Sequence, residues 1–451
     1  LKFEQVLLDS KDSQKIEMVS DAFNLMLDQK SKDPSTSLSL FFHYKNTYLD
    51  RFLIKQRDAI KNLFFECENK IKLPFHVFLP SSPIKTPDYV KRIYFFSFNL
   101  FIGIALFFSL HNKADIVCFL HIMVFNCLIL CLVGFYQRIN HQWTDNYVEI
   151  LGIWDAPEPR YYFSTFTYKN HWSAYAIMIL FCAFYLVRNE VIRLWKTSTN
   201  ILHSKLFIYL TFSIIIIAFS ILLSGSRSGI ILLIFSFFIC FYKVVKNKNK
   251  MFEINLKFLS IIFLFIPLLL LLFLSFKKDN KWEEMVRNSS SQWQNFVQGK
   301  PPLRILFWRD TMDMIQEKPF WGYGYNSFSS MYPKFQSTQV RNERALGLEN
   351  AHTPYVPLVA HAHSDVLEFF AEWGLGGIFL IFFPFLFYLL KTFHIAVPHP
   401  STITGWGCLV FLLYCWIDFP TRTPACLATF SALFALTMKI HSLRQEVGFR
   451  F

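Results

Sequence analysis

From Ile93 onward, apolar runs of about 20 residues alternate with short polar breaks, the length at which a helix crosses a hydrocarbon layer about 30 Å thick. Nine such runs fall at 93–111, 116–137, 172–188, 205–224, 229–246, 258–276, 366–391, 405–419 and 424–441. The eighth is short and carries Gly405 and Gly407. Before Ile93 the pattern is mixed and polar, with amphipathic stretches such as Ile16 to Leu27 and a proline-containing stretch from Leu73 to Pro87. The pattern predicts an all-α fold: a polytopic transmembrane helix bundle of about nine visible helices with a long helical exterior loop. The division it suggests is a polar N-terminal region (1–92), six helices (93–276), a long loop (277–365), three helices (366–441) and a tail (442–451).

Composition narrows the class. Hydrophobic residues make up 53% of the 451 and charged residues 17%, with 54 phenylalanines and 11 tryptophans. That is more apolar bulk than a water-soluble core of this size hides, so disorder and a soluble enzyme are both excluded. The 45 Lys and Arg against 32 Asp and Glu would suggest nucleic acid in a soluble chain. In a membrane chain they mark cytoplasmic loops instead, and no nucleic-acid partner is expected. Nine cysteines and no CxxC pair, with Cys118, Cys127, Cys131, Cys182 and Cys240 inside apolar runs, read as small apolar fillers.

Two short breaks set the orientation. The first, 188–205, holds Arg188, Arg193, Lys196 and Lys205 against Glu190; the second, 243–257, holds five lysines against Glu253. Both should face the cytoplasm. Threading the helices through them puts loop 138–171, the turn Ser224–Gly229 and loop 277–365 together on the far side. It also puts 1–92 there, and without a signal sequence this points to further helices upstream of Leu1.

Polar groups at membrane depth are costly and default to functional candidates. Arg227 stands in Ser-Gly-Ser-Arg-Ser-Gly between two almost purely apolar runs. It reads either as a side chain snorkelling to lipid headgroups or as a guanidinium beside exposed backbone N–H groups, a phosphate site. Arg304 opens an amphipathic helical stretch ending near Pro319, with Ile305, Trp308, Met312 and Ile315 on one side. An arginine in a first turn is ordinarily just solvated. The run Trp321-Gly322-Tyr323-Gly324-Tyr325 follows no strand, and reads as a close-packed loop or a sugar-stacking surface. In His361-Ala-His363-Ser-Asp365, Asp365 with Glu368 three residues on resembles a capping arrangement. His363 then sits just outside a helix N-terminus, whose dipole keeps the ring neutral and able to take a proton from a hydroxyl. His361, His363 and Asp365 as metal ligands, and a purely structural His363, are the competing readings.

Taken in order, these blocks resemble the O-antigen ligase and polymerase superfamily of bacterial membrane glycosyltransferases. The match is carried by TFTYKNHWSAY at 165–175, ILLSGSRSGIILL, RILFWRDTMDMIQEKPFWGYGYNSF and AHSDVLEFFAEWGLGG, with IDFPTRTPACLA as a weaker fifth block. Coverage runs from about 165 to 440. Ser364 replaces the family's usual Asn, and Ser173 stands where Ala is common. The resemblance implies transfer of a glycan from an undecaprenyl-diphosphate carrier to an acceptor hydroxyl, at the periplasmic face of the bacterial inner membrane. It implies that Arg227 and Arg304 bind the diphosphate, that His363 orients or deprotonates the acceptor hydroxyl, and that Asn170, Tyr323 and Tyr325 help to bind substrate. Neither a cofactor nor a metal is implied, since arginines supply the positive charge. The expected partners are the lipid-linked donor, membrane lipids, and lipid A core or a growing polysaccharide as acceptor. A transporter or flippase of lipid-linked or anionic sugars is the rival class, and a membrane metal hydrolase built on His361 to Asp365 is a third reading.

Overall fold

The computed structural model describes residues 87–140, 148–150, 154–156, 161–198, 203–246, 301–346, 359–393 and 401–447, together with 200, 290, 291, 294 and 298. The predicted helix at 258–276 and the region 1–86 lie outside the described residues. In chain order the described α-helices are α1 (Pro87–Ser109), α2 (Lys113–Asn140), α3 (Lys169–Lys196), α4 (Lys205–Ser224), α5 (Arg227–Lys246), α6 (Leu303–Glu317), α7 (Phe328–Phe335), α8 (Thr338–Leu346), α9 (Asp365–Phe393), α10 (Ser401–Ile417) and α11 (Pro424–Val447). A small antiparallel hairpin, β1 (Val148–Ile150) with β2 (Trp154–Ala156), pairs Val148 with Ala156. The fold is otherwise helical. Five helices, α2, α3, α4, α9 and α11, are long and apolar enough to cross a membrane, and α1, α5 and α10 contain shorter apolar stretches. This is an integral membrane protein, and eight of the nine predicted runs coincide with helices.

The chain divides into two compact units: Leu1–Phe96 with Ser291–Pro384, and Ser97–Ser290 with Phe385–Phe451. The second unit is organised around α3, in which every residue from Asn170 to Val187 is buried. It packs against α2, α4, α5, α10 and α11. A helix apolar on all sides belongs at the centre of such a bundle. Helix α2 shows the complementary pattern. Ile116, Leu120, Val124, Cys127 and Cys131 recur every three or four residues and are buried, while Ile122, Phe125, Ile129 and Leu132 on its other side are exposed. Without a hydrophobic drive between helices in lipid, close approach at small residues holds such bundles together. At Gly134 an added Cβ would lie 2.3 Å from the Phe163 ring, and at Gly229 2.5 Å from Ser173.

The first unit is built on α6, α7, α8 and the start of α9. Leu306, Phe307, Met314, Tyr323, Phe328, Met331, Tyr332, Val340 and Ala371 form its core. The buried face of α6 is Leu306, Phe307, Asp310, Thr311 and Met314, whereas Ile305 and Met312 are exposed. The side bearing Ile305 and Met312 is thus not the one packed in this core. Asp310 can join the buried side because its carboxylate accepts from Tyr332 Oη (2.9 Å) and from Ser337 N (2.9 Å) and Oγ (3.2 Å), and a satisfied polar group can be buried. Burial raises its pKa above the usual carboxylate value, against the lowering effect of those hydrogen bonds.

A backbone splice joins the two halves of this unit. Tyr323 N donates to Ala371 O (2.9 Å), Gly324 N to Glu372 O (2.8 Å), Leu375 N to Pro319 O (2.8 Å) and Gly376 N to Phe320 O (2.9 Å). It breaks α9 at Gly374, where φ is 63° and ψ −177°. A Cβ there would stand 2.4 Å from the carbonyl carbon of Phe320, and one at Gly322 (φ 63°) 2.4 Å from Glu372 O. Only glycine combines that dihedral with that proximity.

Candidate functional site

In the first unit the chemistry gathers at the entrance to α9. Ser364, not Asp365, is the capping residue: its Oγ accepts from Leu367 N (3.3 Å), and Asp365 lies in the first turn. Glu368, fully buried, reaches back to accept from Ala362 N (3.2 Å) and pairs with His361 Nδ1 (3.2 Å). These contacts hold the backbone on both sides of His363, which sits at φ 54°, a left-handed conformation uncommon for a residue with a Cβ.

His363 lies parallel to Phe307, with centroids 5.9 Å apart and planes 10° from parallel. Phe307 is one turn along α6 from Arg304. Burial first, then the positive charges of Arg304 and His361, push the His363 pKa down to about 4, and Glu368 only partly opposes them. The ring is neutral at physiological pH, in the direction expected for a site at a helix N-terminus. Arg304 thus acts on the His363 ring through its charge. Among the described residues no group of three or more His, Cys, Asp and Glu is placed to hold a metal ion.

Tyr323 and Tyr325 are buried instead of lining a surface. Tyr323 has Lys318 Nζ 4.4 Å from its ring centre, and Tyr325 packs against Trp373 and Phe96. The Gly-aromatic run is closely packed, with both tyrosine side chains covered.

In the second unit the Arg227 turn is tightly specified. Gly225 (φ 69°) closes α4 in the left-handed conformation, and Ser226 caps α5 by accepting from Gly229 N (3.1 Å). Arg227 is exposed in the first turn of α5. Behind it runs a buried hydrogen-bond chain. Ser228 Oγ meets Tyr414 Oη (2.9 Å), Tyr414 Oη meets Ser226 Oγ (3.1 Å), and Ser226 Oγ donates to Asn170 Oδ1 (2.7 Å). Asn170 Nδ2 donates to Asp418 Oδ2 and to Tyr168 Oη (3.0 Å). Asp418, fully buried at the end of α10, also accepts from Phe419 N (3.0 Å). Asn170, expected to touch substrate, links three helix ends through these bonds and places the start of α3 and the Ser224–Gly229 turn at one end of this unit.

Sequence reasoning singled out neither Asp418, Tyr414 nor Phe307, and read Glu368 only as part of a cap. A carboxylate closing an apolar helix was a readable signal at Asp418. Nothing in the spacing marks Tyr414 or Phe307.

The chain is thus a membrane protein of apolar helices with a folded helical segment preceding α9, in which burial and Arg304 lower the basicity of a histidine, His363. Residues 212–382 match the family model described as O-antigen ligase. The match includes Arg227, Arg304 and His363; Asn170 and Asp418 lie outside it. No curated protein matches the chain.

Proposed function

We propose that the chain is a membrane glycosyltransferase that moves a glycan from an undecaprenyl-diphosphate carrier to an acceptor hydroxyl on the periplasmic side of a bacterial inner membrane. The observation that carries this reading is His363, stacked on Phe307 in the left-handed conformation and made less basic by burial and by Arg304, within the residues matching the family model described as O-antigen ligase. As the sugar–phosphate bond breaks, negative charge grows on the departing diphosphate. Arg304 and Arg227 stabilise that charge, each able to present two N–H groups to phosphate oxygens. His363 accepts the proton of the acceptor hydroxyl as the new glycosidic bond forms.

The depressed basicity of His363 fits this sequence of events. Arg304 lowers its pKa in the empty site. A bound diphosphate neutralises that guanidinium and adds negative charge nearby, so the ring becomes more basic when the donor is in place. The deprotonating group is strengthened by the donor.

The test is reconstitution in vesicles with a diphosphate-linked glycan donor and a hydroxyl acceptor. Glycan on the acceptor together with released lipid diphosphate supports the reading. Movement of intact donor across the bilayer without transfer would replace it with a transporter.

A further inference from the structure

Side-chain exposure along α9 changes abruptly at Gly374. No residue from Asp365 to Gly374 is exposed, whereas Leu375, Phe379, Leu380 and Phe383 are 50–68% exposed. At that level the splice fixes two large aromatic side chains beside the helix, Phe320 (65% exposed) and Trp321 (67%). The Trp321 ring packs over Gly376, whose added Cβ would lie 3.1 Å from it. Soluble surfaces rarely leave a contiguous apolar patch of this kind uncovered. The patch is continuous with the flank of a helix long and apolar enough to span a membrane.

We infer that the bilayer surface meets α9 at Gly374–Leu375, and that Phe320 and Trp321 form an aromatic anchor seated in the lipid headgroup layer. Three features support this. Leu375 to Lys391 spans about 26 Å at 1.5 Å per residue, close to a hydrocarbon thickness of about 30 Å. The acids Asp365, Glu368 and Glu372 all precede the boundary, so no carboxylate of this helix enters the hydrocarbon. Tryptophan favours the interface, where its ring is apolar and its N–H stays wet. On this inference the first turns of the 366–391 run lie on the aqueous side of the boundary.

Single cysteines at Trp321, Phe379 and Asp313 in an otherwise cysteine-free full chain, each carrying a nitroxide, would locate the boundary in vesicles of phosphatidylethanolamine and phosphatidylglycerol. Asp313 is exposed on α6 and serves as the aqueous reference. Collision with oxygen relative to a water-soluble nickel chelate should be severalfold higher at 321 than at 313, and higher still at 379. A ratio at 321 equal to that at 313 would overturn the anchor. Shielding of 321 from both probes would also overturn it, since a second copy or another part of the protein would then cover the patch. The measurement uses no donor and no activity, so its failure leaves the proposed reaction standing.

Discussion

The His363 ring lies parallel to that of Phe307, 5.9 Å between centroids, on a backbone turned to φ 54°. The imidazole is therefore fixed by stacking, by the capped helix behind it and by its own unusual dihedral. Replacing it calls for a residue that tolerates the dihedral. Asparagine does so more readily than alanine. His363→Asn should fold and bind the lipid-linked donor while turnover falls by roughly two to four orders of magnitude, the range for a positioned base. Donor binding by calorimetry beside a transfer assay checks this, and wild-type turnover would remove the proposed role.

The same ring makes stability depend on pH. Its folded pKa is about 4 against 6.5 unperturbed, so the unfolded chain holds the extra proton between those values. The contribution is complete above about pH 6.5 and is lost as pH falls towards 4. Thermal melts from pH 7.5 to 4.5 should show a steeper loss for wild type than for His363→Asn. Parallel curves would contradict the buried neutral ring.

Arg227→Lys and Arg304→Lys should impair transfer almost as severely as the alanine variants. Lysine keeps the charge but loses the planar fork that holds two phosphate oxygens. Transfer assays at saturating acceptor provide the comparison. Near-normal rates in both lysine variants would reduce these side chains to simple surface charges.

Asp418 and Asn170 predict a stability effect beside a functional one. Asp418→Ala removes the acceptor for the Asn170 amide and for Phe419 N, leaving buried donors unsatisfied. A cost of about 1–3 kcal/mol per orphaned group follows, visible as a lower Tm in detergent. Because Ser226 caps α5 and bonds Asn170, donor affinity should fall as well if Arg227 binds diphosphate. An unchanged Tm would argue against the chain of bonds.

Gly374→Ala tests the splice. Left-handed geometry costs a residue with a Cβ about 1–2 kcal/mol, and the Phe320 carbonyl, 2.4 Å from the new carbon, adds to it. Lower Tm with increased proteolysis between 301 and 346 is the expected outcome, and full wild-type stability would show that the backbone can shift.

Hydropathy made the helices legible because burial in lipid leaves long apolar runs that few other folds need. Candidate residues stood out where a charged or titratable group interrupted such a run or met a helix end, as at Arg227 and His363. Polar groups that satisfy one another were not legible. Asp310 is buried in α6 because its partners, Tyr332 and Ser337, come from later elements. The structural bonds of Asn170 were hidden for the same reason, since its partners Ser226 and Asp418 stand 56 and 248 residues away. The capping residue was displaced by one because Ser364 and Asp365 are both competent caps and only geometry separates them.

The splice between residues 319–324 and 371–376 also orders events during biosynthesis. The earlier strand of the pair leaves the ribosome some fifty residues before the later one, and α6, α7 and α8 emerge with part of their core uncovered. Ala362 and Ala371, which complete that core, arrive only with the approach to α9 and its first turns. A fragment ending before α9 would therefore lack part of its own core, and the insertion closes only once the first turns of α9 are made.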